Sequence, residues 1–115
     1  GKQCYFAYLE GRDETVLRFP GREFREAPRV VGGTILADRS LTDHIMFDDL
    51  PRGTDTTWLE AVRDQGLTVY SADRYNFCQV RRADVSTHTW KPSDAEFLRP
   101  TNAVAAGFAR EAIFV

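Results

Sequence analysis

The chain opens on an apolar, aromatic run, Cys4-Tyr5-Phe6-Ala7-Tyr8-Leu9, whose composition predicts a β-strand. Glu10-Gly11-Arg12-Asp13 breaks it as a turn, because glycine tolerates positive φ and aspartate bonds its own backbone. Thr15-Val16-Leu17-Arg18-Phe19 then reads as the returning strand of a hairpin, ended by Pro20-Gly21. Residues 20 to 29 are charged and read as a mobile loop. Arg29-Val30-Val31 leads into Gly32-Gly33-Thr34-Ile35-Leu36-Ala37, a strand pattern holding two adjacent glycines. Such glycines weaken a strand and let another backbone or a ligand come close. Ser40 is placed to cap a short helical turn over Leu41 to His44.

The clearest helical pattern spans Asp55 to Gln65. Trp58, Leu59 and Val62 form one apolar stripe, and Gly66 suits the left-handed position just past the end. Thr54 reads as the N-cap, with Thr57 and Glu60 as a competing capping box. Leu67 to Tyr70 and Phe77 to Arg82 read as strands. Ser93 and Glu96 form a capping box ahead of a short helix that Pro100 stops, and Ala112 to Val115 reads as a final edge strand. These elements predict one α+β domain over residues 1–115: a mixed, mostly antiparallel sheet of about five strands with short helices on one face.

A chain of 115 residues fits a single core, and 43% hydrophobic residues with 28% charged ones exclude a disordered class. The formal net charge of −2 gives no global field for nucleic acid. No apolar run approaches the ~20 residues of a membrane span. Cys4 and Cys78 are the only cysteines and lie far from any C-x-x-C spacing, which leaves zinc and redox motifs unsupported. Two buried thiols fit a reducing, cytoplasmic setting. Charge is uneven, with Arg18, Arg22, Arg25 and Arg29 near one another and Asp38, Asp43, Asp48, Asp49, Asp55, Glu60 and Asp64 following. This is either a basic loop for an anionic ligand facing an acidic rim, or two solvated faces.

Several short motifs fall in a telling order. Gly32-Gly33-Thr34-Ile35 comes first. Phe47-Asp48-Asp49-Leu50, Gly53-Thr54-Asp55 and the Trp58 helix follow, then Tyr70 to Asn76, Arg81-Arg82 and His88-Thr89-Trp90. Over roughly residues 28 to 90 this order resembles the C-terminal, acceptor-binding half of family 2 glycosyltransferases of the GT-A type. Members of that family often carry Gly-Glu-Asp where this chain has Gly53-Thr54-Asp55. The resemblance implies that a complete enzyme moves a sugar from a nucleotide donor to a hydroxyl acceptor. The nucleotide-sugar half of the family carries an Asp-x-Asp motif, and these 115 residues contain none. The chain therefore reads as an excised half, or as a stand-alone relic of the acceptor half.

The resemblance makes Asp55 the general base. An inverting transfer needs a group that removes the acceptor hydroxyl proton, and a helix N-terminus fixes a carboxylate in direction and favours the anion. The alternative is an aspartate that only stabilises its helix, by about 0.3–1 kcal/mol. Gly32, Gly33, Thr34, Thr54, Trp90 and Arg81 are the candidate substrate-binding positions. Trp90, Tyr70 and Tyr75 offer aromatic faces for pyranose rings, or core packing. Arg81 and Arg82 offer bidentate geometry for a diphosphate, or a sheet-face charge pair. Asp48 and Asp49 are either a cation or sugar site or a solvated pair. His88 either matches a metal-completing histidine of the family, for manganese or magnesium in a complete enzyme, or is a histidine hydrogen-bonded near the surface; this chain by itself is expected to bind no cofactor. Expected partners are a carbohydrate acceptor, the missing N-terminal half, or a second copy paired through an exposed edge at Cys4–Leu9 or Thr15–Phe19. The alternative function is a non-catalytic binding or self-assembly module.

Overall fold

A computed structural model describes all residues, Gly1–Val115. In chain order the strands are β1 (Tyr5–Leu9), β2 (Glu14–Arg18), β3 (Arg25–Glu26), β4 (Tyr70–Ser71), β5 (Cys78–Arg81) and β6 (Thr101–Ala106). The helices are α1 (Arg39–His44), α2 (Thr54–Asp64), α3 (Asp94–Phe97) and α4 (Arg110–Ile113), with single 3₁₀ turns at Glu10–Arg12 and Gly32–Thr34. Four strands form a mixed sheet in the order β5-β1-β2-β6, and β3 pairs with β4 in a separate two-stranded ribbon. In the main sheet β2 is antiparallel to both β1 and β6, whereas β5 runs parallel to β1. The fold is α+β. No helix is long and apolar enough to cross a membrane.

The expected hairpin is present. Its 3₁₀ turn ends on Asp13 at φ 48°, and the Asp13 carboxylate accepts a 2.7 Å hydrogen bond from the Tyr8 hydroxyl. Aspartate is among the few non-glycine residues that tolerate this left-handed conformation, and the tyrosine bond fixes its side chain. Both hairpin strands are interior to the sheet. Tyr5, Ala7, Leu9 and Val16 share one core with Phe97 of α3, while Phe6 and Leu17 share another with Cys4 and with Ile113 of α4. Both faces are thus covered, which is why β1 reads as a continuous apolar run. This places α3 and α4 on opposite faces, not together on one.

Several boundaries differ from the sequence expectation, each for a local reason. Gly32-Gly33-Thr34 is a 3₁₀ turn and not strand; the turn closes with Ile35 N–H donating to Gly32. Asp38 caps α1, and Ser40 is its partner, donating backbone N–H and hydroxyl to the Asp38 carboxylate. Gly53, at φ 80°, is the N-cap of α2, and the Thr57 hydroxyl donates to its carbonyl instead of forming a capping box. Gly66 does take the left-handed conformation, at φ 78°. The Ser93–Glu96 capping box is formed in full. Leu67–Tyr70 contributes only Tyr70 to a strand. The C-terminal edge strand is helix α4, and the outer strand is β6, which the sequence reading left out. The free edges of the sheet are consequently β5 and β6. The strands expected to offer an exposed edge, at Cys4–Leu9 and Thr15–Phe19, are interior and have partners on both sides, so neither presents a free edge.

A third core surrounds α2. Trp58, Leu59 and Val62 pack with Val30, Ile45 and Val69, and the Trp58 indole N–H donates 2.7 Å to the Ile45 carbonyl. The dipeptide Val30-Val31 joins this core to the sheet: Val30 enters the α2 core and Val31 packs against the Tyr5–Phe97 core. The glycine turn that follows is thereby held between the helix and the sheet.

Candidate functional site

The start of α2 and the glycine turn meet at one cleft of about 650 Å³. Asp55 lies in the first turn of α2, half-buried, directly against Gly32. A Cβ on residue 32 would sit 2.6 Å from Asp55 Oδ2, 3.1 Å from Cγ and 3.2 Å from Cβ. The first separation is shorter than real Cβ contacts allow and the other two are tighter than most, so the absence of a side chain at residue 32 lets the carboxylate occupy this position. The close approach expected of the Gly-Gly pair is thus made by a carboxylate. Gly33 instead packs against the Phe77 ring, 3.6 Å from where its Cβ would be.

The cleft is lined by Gly32, Thr54, Asp55 and Thr89 together with Phe47, Trp58 and Arg52. Thr89, the middle residue of His88-Thr89-Trp90, therefore faces the same space as Asp55. Phe47 stacks on Trp58 with ring centroids 4.7 Å apart and planes 10° from parallel. Phe47 remains 47% exposed, whereas Trp58 is buried. One cation, Arg52, and one anion, Asp55, share the cleft with hydroxyls and apolar surface. Such a mixture suits a polyhydroxylated ligand better than a wholly apolar one.

The other candidates are dispersed. The Thr34 hydroxyl accepts from Lys2 N–H at 2.8 Å and donates to the Val31 carbonyl at 2.8 Å, which commits it to holding residue 2 against the glycine turn. Thr54 lines the cleft, and its hydroxyl makes one long bond, 3.4 Å, to the Leu50 carbonyl. Arg81 is buried; it donates to the Pro92 carbonyl at 2.6 Å and to Asp94 at 3.3 Å, and lies over the Phe97 ring. It braces α3 and does not face the cleft. Arg82 binds the Thr87 hydroxyl. Trp90 is half-exposed on the α3 side, beside Phe97 and over the Arg18 guanidinium, outside the lining of the Asp55 cleft. Tyr70, Tyr75, Asp48 and Asp49 also lie outside it.

Arg18 does not belong to a basic loop. Its side chain is 4% exposed and enclosed by Phe97, Phe19, Tyr5 and Trp90, with 4.3 to 5.7 Å from the guanidinium carbon to each ring centroid. It donates to the Tyr5 hydroxyl and the Arg99 carbonyl, and no carboxylate pairs with it. Glu23 holds Arg74 through both carboxylate oxygens, tying the charged loop down near Cys4. Burial pushes the Cys4 and Cys78 thiols up, and neither cysteine is disulfide-bonded.

His88 accepts a 3.3 Å hydrogen bond at Nε2 from Arg82 N–H. No three His, Cys, Asp or Glu side chains gather anywhere in the chain. The residues present do not by themselves fit a divalent metal; His88 supplies a single nitrogen beside the cleft-lining Thr89. The residues that sequence reasoning missed are Phe47, Arg52 and Thr89. Thr89 was legible only as part of His-Thr-Trp, and nothing in the sequence marks Phe47 as the partner of Trp58. No protein-family model, curated protein or solved structure matches the chain.

Proposed function

We propose that this chain is the acceptor-binding half of a GT-A-type family 2 glycosyltransferase, with Asp55 as general base. One observation carries the reading. Three motifs far apart in sequence, Gly32-Gly33-Thr34, Gly53-Thr54-Asp55 and His88-Thr89-Trp90, each contribute residues to one cleft, and the carboxylate in it is held against a glycine. In the reaction an acceptor hydroxyl enters the cleft and Asp55 takes its proton. The oxygen then attacks the anomeric carbon, and the bond to the nucleoside diphosphate breaks. Stabilisation of the departing diphosphate is usually a large part of such catalysis, and residues outside these 115 supply it. Manganese or magnesium, which the resemblance implies for a complete enzyme, would need further ligands from those residues.

Asp55→Asn tests the assignment. It keeps the side-chain shape and removes the base. Stability should stay within about 1 kcal/mol of wild type, the size of a helix-dipole contribution. Transfer by the full-length enzyme should be abolished. The 115-residue chain alone, given nucleotide-sugars and manganese, should show no turnover above background. Full activity of the Asn variant removes the base assignment.

Thr54 supports a second reading, because it stands where the family usually has glutamate. In that reading the chain is a non-catalytic module that binds carbohydrate or a protein partner at the same cleft. A full-length protein that contains an Asp-x-Asp half yet transfers no sugar would favour it.

A further inference from the structure

We infer that Phe47 is the aromatic platform on which the acceptor's sugar ring stacks, so that the cleft selects a pyranoside presenting an apolar face. This rests on the acceptor-site reading above and deepens it. Three observations combine. Phe47 lines the cleft that holds Asp55. It lies parallel to Trp58 at 4.7 Å, and Trp58 is itself pinned by its indole bond to the Ile45 carbonyl and by burial in the α2 core. Phe47 nevertheless keeps about half its surface open. The stack on Trp58 gives the Phe47 ring a rigid support, and its exposed surface stays open to the cleft. A supported, half-open aromatic beside a carboxylate matches what a pyranose needs. The axial C–H groups on one sugar face meet the ring, and the equatorial hydroxyls point outward to polar partners. Trp90, the aromatic that the sequence favours, has its ring engaged with Arg18 and Phe97 and does not line this cleft.

The test uses the 115-residue chain in solution with methyl β-glucopyranoside, methyl β-galactopyranoside and methyl β-N-acetylglucosaminide as probes. Amide chemical shifts locate the site, and saturation transfer from aromatic protons reports which sugar face touches a ring. Binding should shift the amides of Phe47, Asp55 and Thr89. Phe47→Leu keeps an apolar cover over Trp58 but removes the π face, and should weaken binding about fivefold, from the usual worth of an aromatic contact. Phe47→Trp should restore it, which separates loss of the platform from loss of the fold. Shifts at Asp55 that persist unchanged in Phe47→Leu overturn the platform and leave the acceptor reading intact. Shifts confined to Trp90 overturn the platform as well. The absence of any shift at Asp55 or Thr89 with all three sugars overturns the carbohydrate reading of the cleft, and the platform with it.

Discussion

Gly32→Ala puts one methyl group where the Asp55 carboxylate lies, and its outcome can be worked from the geometry. Gly32 does not use a positive φ, so alanine meets no backbone penalty at this position. The conflict is with the neighbour: Oδ2 at 2.6 Å, Cγ at 3.1 Å and Cβ at 3.2 Å. Turning the carboxylate away relieves the first contact. The other two sit close to the backbone of α2, which Trp58, Leu59 and Val62 anchor in the core. Overpacking of this kind costs about 1–3 kcal/mol, and the stiffer unfolded chain returns about 0.4–1 kcal/mol, so the net loss should be about 1–2 kcal/mol. In Asp55→Ala only the contact at 3.2 Å remains, and a shift of a few tenths of an ångström relieves it. Gly32→Ala should then be nearly neutral, which gives a coupling of about 1 kcal/mol or more between the two sites. Urea unfolding of the four proteins in the cycle measures this, and a melting-point drop of about 4 °C per kcal/mol provides a check. Equal losses in both backgrounds would refute the contact, as would an alanine variant as stable as wild type. On the proposed reading, the same alanine should also abolish transfer by a full-length enzyme, because it displaces the carboxylate proposed as the base.

Three further outcomes follow from the buried groups. Arg18→Met should stay within about 1 kcal/mol of wild type, because a buried cation with no carboxylate partner is costly to keep, whereas Arg18→Ala should lose about 3 kcal/mol to the cavity between four rings; chemical denaturation distinguishes the two. Trp58→Phe should lose about 1–3 kcal/mol, since it leaves the Ile45 carbonyl unpaired in the core, and a variant of unchanged stability would show that water replaces the indole. Burial raises the Cys4 and Cys78 thiols in the native state, so the folded chain holds their protons to higher pH than the unfolded chain does. Stability should therefore be full below about pH 8.5, the ordinary thiol range, and fall as pH rises beyond it. Melting curves on the Cys4→Ala/Cys78→Ala variant should lose part of that alkaline slope.

The sequence by itself determined the elements whose signals are short-range. The hairpin, the Trp58–Leu59–Val62 stripe with Gly66 behind it, and the Ser93–Glu96 capping box each depend on residues within a few positions of one another. Their chemistry is therefore complete in the local sequence. The resemblance directed attention to Asp55 and to the glycine pair. Tertiary structure decided the rest. Strand β6, Thr-Asn-Ala-Val-Ala-Ala, has little strand character of its own and exists because β2 offers it an open ladder. Ala112 and Ile113 fall in a helix because Ile113 is drawn onto the Phe6–Leu17 face. Arg18, charged and in a run of arginines, was read as surface and is enclosed by four rings that come together only when β1, α3 and the Trp90 segment converge. The juxtaposition of Asp55 with Gly32 has the same origin. It requires Val30 in the α2 core and Val31 in the sheet core at once, and that constraint is set by the packing of distant apolar side chains, which carries no local periodicity.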